Sequence, residues 1–113
     1  VSRDTSFYLI DMRDACSRIM HHRGGMPREL FFVNDLARDA VLWNLLVLGE
    51  AAKQVPETIR VANPTIEWRK IAGFRDVLAH GYFGIDEDIL WDVIDTKIPP
   101  LLEAVKEAIT SLG

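Results

Sequence analysis

Strand-like patterning is missing from this chain: no stretch alternates apolar and polar residues over any length. Cysteine is nearly missing. The single Cys16 excludes an internal disulfide, and its helical setting suits a small core residue. No apolar run approaches the ~20 residues of a membrane span, and no basic-then-apolar signal segment opens the chain, which begins at Val1. Together these absences lead us to expect a reducing cytoplasm. Excess positive charge is absent as well. Thirteen Lys and Arg stand against 17 Asp and Glu, a net charge of −4, which argues against a protein that coats nucleic acid by charge alone. An enzyme that grips a few phosphates in a local cleft remains compatible. Metal-ligand spacing is lacking too. His21 and His22 are adjacent, so on a helix they point ~100° apart, and no Cys or acid–His spacing completes a ligand set. Neither a metal nor a cofactor is expected.

What is present is helical. The chain has 113 residues, 49% hydrophobic and 27% charged, and no repeat, low-complexity run or linker divides it. That fits one domain, residues 1–113, with one core. Ser2 or Asp4 can cap a first helix. In it Leu9, Met12, Cys16, Ile19 and Met20 recur at three and four through about His22. Basic side chains, Arg13 and Arg18 among them, run along this helix and gather at its end, where they suit the helix dipole. Gly24-Gly25 ends it, and Pro27 opens a short helix to about Phe32.

Asn34 reads as the N-cap of a long helix from Asp35 to about Gln54. Leu36, Ala40, Trp43, Leu46, Val47 and Ala51 are expected to pack inward, with Leu42, Leu45, Leu48 and Ala52 widening the stripe. So wide a stripe suits a helix packed in the bundle and in a dimer at once. Asn44 and Glu50 either orient a functional group or form, more plainly, a helix-to-helix hydrogen bond and an exposed acid. A brief helix follows from Pro56 to about Ala62, broken by Asn63-Pro64.

The chain is organised around RDVLAHGY, Arg75 to Tyr82. On a helical wheel Ile71, Phe74, Val77 and Leu78 share an apolar arc, with Arg75 ~40° from Ile71 at its edge. His80 falls ~140° from Arg75, so the two do not adjoin on one ideal face. Either the helix ends at Gly81 and turns the ring inward, or a second copy of the chain completes the pair. Arginine is a permanently charged fork for phosphate oxygens, and histidine moves protons near neutral pH. Together they suit metal-free cleavage of RNA. The plainer alternative is an Arg and a His that cap carbonyls or pair with an acid near a helix end. Upstream, Arg69 and Lys70 either widen a phosphate-binding surface or form a solvated face. Beyond the motif, Asp86 is an N-cap, Ile85 and Leu90 form a hydrophobic staple, and Ile89, Val93, Leu101, Val105 and Ile109 are expected inside. Pro99-Pro100 should kink or split the last helix near Ile98. The fold expected is an all-α up-and-down bundle of four to five main helices.

The motif Arg75, four residues, then His80-Gly81-Tyr82 resembles that of HepT-type toxins of the HEPN superfamily. So do SRDTSFYLIDMRDA, DAVLWNLLVLGEAAKQVP, IEWRKIAGFRDVLAHGYFGID and ILWDVIDTKIPPLL, which cover nearly all of the chain. The resemblance implies an all-α homodimer with a composite site and metal-independent endoribonuclease activity. It also implies a partner, a minimal nucleotidyltransferase antitoxin of a type VII-like toxin–antitoxin pair, which adds AMP to the motif tyrosine, here Tyr82. By the same resemblance Arg75 binds the scissile phosphate of an RNA substrate, His80 is the acid/base, and Asp76 orients one of them. Two other readings stay open. In one, the bundle is a non-catalytic binding subunit that partners a nucleotidyltransferase or binds a nucleotide through Arg75. In the other, the motif is purely structural.

Overall fold

In the computed structural model, residues 5–80 and 86–112 are described, with the backbone alone at 5, 75–77, 79 and 80. Every element formed by these residues is helical. Helix α1 spans Thr5–Arg23, α2 Arg28–Val33, α3 Asp35–Gln54, α4 Glu57–Ala62 and α5 Trp68–His80. Then α6 (Glu87–Asp92), a π-helical turn (Val93–Lys97) and α7 (Ile98–Ser111) follow one another directly. Four long pieces, α1, α3, α5 and the α6–α7 rod, carry the all-α bundle.

Local chemistry sets the helix ends. Gly24 closes α1 with φ 56°, a left-handed conformation that costs a glycine nothing, and its N–H donates to the Met20 carbonyl at 2.9 Å. Pro27 precedes α2 in extended backbone. Asn34 caps α3, its Oδ1 accepting from the Ala37 N–H at 2.9 Å. Asp86 caps α6, its Oδ1 accepting from the N–H groups of Asp88 at 2.8 Å and Ile89 at 3.3 Å. The cap expected from Ser2 or Asp4, and Ile85 of the expected staple, lie outside the described residues.

The last helix divides where Pro99 and Pro100 lead one to expect it: α6 and a π-helical turn end at Lys97, and α7 begins at Ile98. Proline has no N–H to return to the preceding turn. The chain widens there, and the Ile98 N–H reaches back five residues to the Val93 carbonyl. Both prolines then fall in the first turn of α7, where a missing donor is tolerated.

The long helices lie in the order α5, α3, α1, α7, each packed chiefly on its neighbour. Leu9, Met12, Cys16 and Ile19 of α1, Val41, Leu45 and Leu48 of α3, and Ile98, Leu102 and Val105 of α7 fill the core. Each large one stabilises the fold by roughly 1.5–3 kcal/mol through burial. Phe31 of α2 is fully buried against Phe32 and Trp91, and the Arg23 guanidinium lies 4.6 Å from the Trp91 ring while pairing with Asp95 at 3.0 Å. No helix among the described residues is long and apolar enough to cross a membrane.

The inward face of α3 differs from expectation. Ala37, Val41, Leu42, Leu45, Leu48 and Ala52 are buried, whereas Leu36 is 82% and Trp43 65% exposed. Of the set expected inside, Ala51 is buried, Leu46 and Val47 pack half-buried against the core, and Ala40 is half-buried. The helix is apolar on most sides, so periodicity gives an arc without saying which edge meets α1 and α5. Met20 and Ile89 also turn outward, and Leu90 and Ile94 go inside in place of Ile89.

Candidate functional site

Helix α5 stands at the end of the row of helices, with α3 as its main support. Its entry is fixed from the α4–α5 connection. The Trp68 indole N–H donates to the Asn63 carbonyl at 3.0 Å, and the Trp68 backbone N–H donates to the Ile66 carbonyl at 2.9 Å. Trp68 and Leu78 are buried against the core, with Ile71 and Phe74 half-buried between them. These four mark the α3-facing side of the helix at its expected spacing.

The motif occupies the last two turns of α5. Arg75, Asp76 and His80 all have helical backbone, and their side chains lie outside the described residues, as does Tyr82 altogether. Because α5 runs unbroken to His80, register places Arg75 and His80 ~140° apart around the axis and ~7.5 Å apart along it. Arg75 shares the arc of Ile71 and Leu78. His80 shares the arc of Gly73 and Arg69, on the other side of the helix.

Beside the Arg75 arc lies a shallow depression of about 170 Å³, lined by Asp39, Leu42, Trp43, Leu46 and Leu78. Asp39 was not distinguishable by sequence as a site neighbour; its only signal was an acid amid the apolar surface of α3. On the far flank of α5, an open groove of about 1000 Å³ separates it from the π-helical turn and α7. Phe74, Ile89, Val93 and Leu101 give the groove apolar walls, and Lys70 and Lys97 stand on its rim. Lys70 is paired with Glu67 at 2.7 Å. The hydrogen bond from Lys70, more than its charge and that of Lys97, holds the Glu67 carboxyl below its ordinary range, and the same bond raises Lys70. Arg69 is exposed and has no acid partner among the described residues. Thus the two neighbouring cations, indistinguishable in composition, differ in what they are free to bind.

Asn44 is buried, and its Nδ2 donates to the Ala40 carbonyl of its own helix at 2.8 Å. It forms a bond within one helix, where a bond between helices was the plainer expectation. Glu50 is exposed. Arg13 pairs with Asp14 at 3.1 Å and Arg18 is exposed, as a solvated face would have them. His21 and His22 meet edge to face at 5.3 Å, and among the described residues no three His, Cys, Asp or Glu side chains gather around a common point.

Comparison with known proteins covers the whole bundle. The family model described as ribonuclease HepT-like matches residues 12–108. A Thermococcus cleftensis protein named "Probable ribonuclease HepT" is 34% identical over 101 residues, covering 89% of this chain and 92% of its own. A Caldanaerobacter subterraneus protein, provisionally named an RNase, is 34% identical over 100 residues, covering 88% of this chain and 89% of its own. A Methanocaldococcus jannaschii protein, also provisionally named an RNase, is 31% identical over 110 residues, covering 97% of this chain and 91% of its own. No solved structure matches significantly. With the match running from α1 into α7 and enclosing the whole Arg75–Tyr82 motif, the chain belongs to the ribonuclease HepT-like family of HEPN proteins.

Proposed function

We propose that this protein is a metal-independent endoribonuclease whose active site is completed by a two-fold dimer, and that a partner nucleotidyltransferase silences it by adding AMP to Tyr82. The names of its relatives support the RNase class. The observation that carries the composite site is the unbroken register of α5. A helix that reaches His80 without interruption sets Arg75 and His80 on different sides. A second copy, related by a two-fold axis beside α5, brings the Arg75 arc of one protomer toward the His80 arc of its partner.

The chemistry follows from the residue types. A 2′-hydroxyl loses its proton to a base and attacks the adjacent phosphorus. The P–O5′ bond breaks, and an acid protonates the departing 5′-oxygen. The products are a 2′,3′-cyclic phosphate and a free 5′-hydroxyl, with no water consumed. His80 handles the proton, Arg75 steadies the charge on the phosphorus-centred transition state, and Asp76 orients one of them. A phosphodiester-linked AMP on Tyr82, two residues from His80, puts bulk and negative charge where the substrate phosphate must sit.

Mixing two inactive proteins tests the shared site. Arg75→Ala and His80→Ala protomers, unfolded together and refolded, give dimers that hold one intact Arg–His pair. About a quarter of wild-type activity should return if protomers exchange at random. A mixture as silent as its parents, with exchange verified by native mass spectrometry, would place both groups in one protomer.

A further inference from the structure

The face of α5 that carries His80 also carries Arg69 and Gly73. His80 lies eleven positions after Arg69, three turns of helix, so the two align within ~20° around the axis and stand ~16 Å apart along it. Gly73 lies between them on the same face. Arg69 and Gly73 are each locally out of place. Arg69 is a cation in the first turn of α5, where the helix dipole disfavours positive charge. Lys70 is in the same turn, but Glu67 holds it at 2.7 Å. Residues three and four positions from Arg69, on either side, are Thr65, Ile66, Ala72 and Gly73, so its helix offers it no acid. Glycine inside a helix weakens it, and such a residue is commonly explained by a neighbour that needs the space. At Gly73 a Cβ would meet nothing within 4 Å. Packing within the described residues therefore explains neither residue.

Both are explained by a polyanion that lies along this face. From these observations we infer that the Arg69–Gly73–His80 face of α5 is a track for the backbone of single-stranded RNA, with Arg69 holding a phosphate remote from the one that is cut. This rests on the ribonuclease reading above and specifies its substrate: a strand that spans several phosphates rather than a dinucleotide. Arginine is suited to the distal position, because its fork takes two phosphate oxygens at once. Gly73 lets the sugar–phosphate chain approach the helix backbone between the two anchors. Lys70, one residue on, is withheld from this role by Glu67. The overall charge of −4 fits a protein that selects a strand by a few placed cations.

The test uses a labelled single-stranded 12-mer RNA and the purified protein carrying His80→Ala, so that binding is read without cleavage. Adding Arg69→Gln should weaken binding about ten-fold at low salt. It should also reduce the slope of log affinity against log salt by about 0.7 for each phosphate that Arg69 neutralises. Adding Lys70→Gln should change affinity less than two-fold. Gly73→Leu, a good helix former placed in open space, should keep the helical circular dichroism and weaken binding. In the cleavage-competent protein, Arg69→Gln should raise KM for the 12-mer with kcat unchanged, and leave a dinucleoside monophosphate, too short to reach Arg69, cleaved as before. Binding and salt slope unchanged by Arg69→Gln, in a protein that still cleaves RNA, would overturn the track and leave the ribonuclease reading standing. Failure of the wild-type protein to bind or cleave any RNA would overturn both.

Discussion

Trp43 on α3 and Leu78 on α5 line one shallow depression, yet Trp43 is 65% exposed while Leu78 is 4% exposed. The indole is an apolar surface standing over the motif helix with nothing among the described residues to cover it. Leu36, 82% exposed and two turns earlier, continues the same edge of α3. If a second copy covers this edge, Trp43 is an anchor of the dimer. Trp43→Asp should then weaken association by ~2 kcal/mol or more, roughly thirty-fold, and abolish cleavage with it. Sedimentation at graded concentration reads the first effect, and unchanged helical circular dichroism shows the fold intact. A Trp43→Asp protein as dimeric as wild type would move the interface elsewhere.

Cys16 gives a pH signature. Burial pushes its thiol from an ordinary 9.0 up to about 12. Below pH 9 both folded and unfolded chains keep the proton, and the thiol has no effect on the pH dependence of stability. Above it the unfolded chain releases the proton and the folded chain retains it, so stability falls as pH rises toward 12. The slope for one proton is ~1.4 kcal/mol per pH unit. Urea unfolding of wild type and Cys16→Ala across this range isolates the thiol. The wild-type advantage should shrink with pH, and a constant difference would contradict it.

Trp68 ties the entry of the motif helix to the preceding loop through its indole N–H and the Asn63 carbonyl. Trp68→Phe keeps most of the apolar surface and removes the bond. A cost of ~1 kcal/mol is expected, a drop of about 4 °C in Tm. Calorimetry checks it.

Asp86 caps the helix that follows the motif. Asp86→Ala should cost ~1 kcal/mol, whereas Asp86→Asn, which retains an acceptor oxygen, should lose little. Equal losses in chemical denaturation would mean that the negative charge at the helix N-terminus, and not the acceptor bonds, carries the stabilisation.

The proposed AMP switch separates activity from regulation at Tyr82. Tyr82→Phe should still cut RNA and should gain no adduct of about 329 Da, the mass that one AMP adds, when co-expressed with the proposed nucleotidyltransferase partner. A modified Tyr82→Phe protein would put the AMP on another residue.

Much of this fold was legible because its punctuation is chemical. Asn34, Asp86, Pro27 and Gly24 fix helix ends by the bonds they make or cannot make, and the structure uses each of them so. Direction was less legible. Leu36 and Trp43 lie outside and Leu42 and Leu45 inside, because α3 is apolar on most sides and no local rule ranks its faces. The proline pair announced a kink or split near Ile98, and the helix divides there; that the division takes the form of a π-helical turn was not legible. Ile94 and Ile98 on either side of it are both buried. At the site, Arg75 and His80 were readable as a motif. The contrast between Arg69 and Lys70 was not legible there; it rests on the Glu67–Lys70 ion pair and on the open space beside Gly73.

The most direct test of the central claim is RNA cleavage in EDTA by purified protein whose mass shows Tyr82 unmodified. Wild type should cleave, and folded Arg75→Ala and His80→Ala proteins should each lose at least about 100-fold, in keeping with the ~10²–10⁴ supplied by one positioned acid–base group. Absence of cleavage by the unmodified wild type across total RNA and tRNA, or cleavage that survives in either variant, would contradict the ribonuclease assigned to Arg75 and His80.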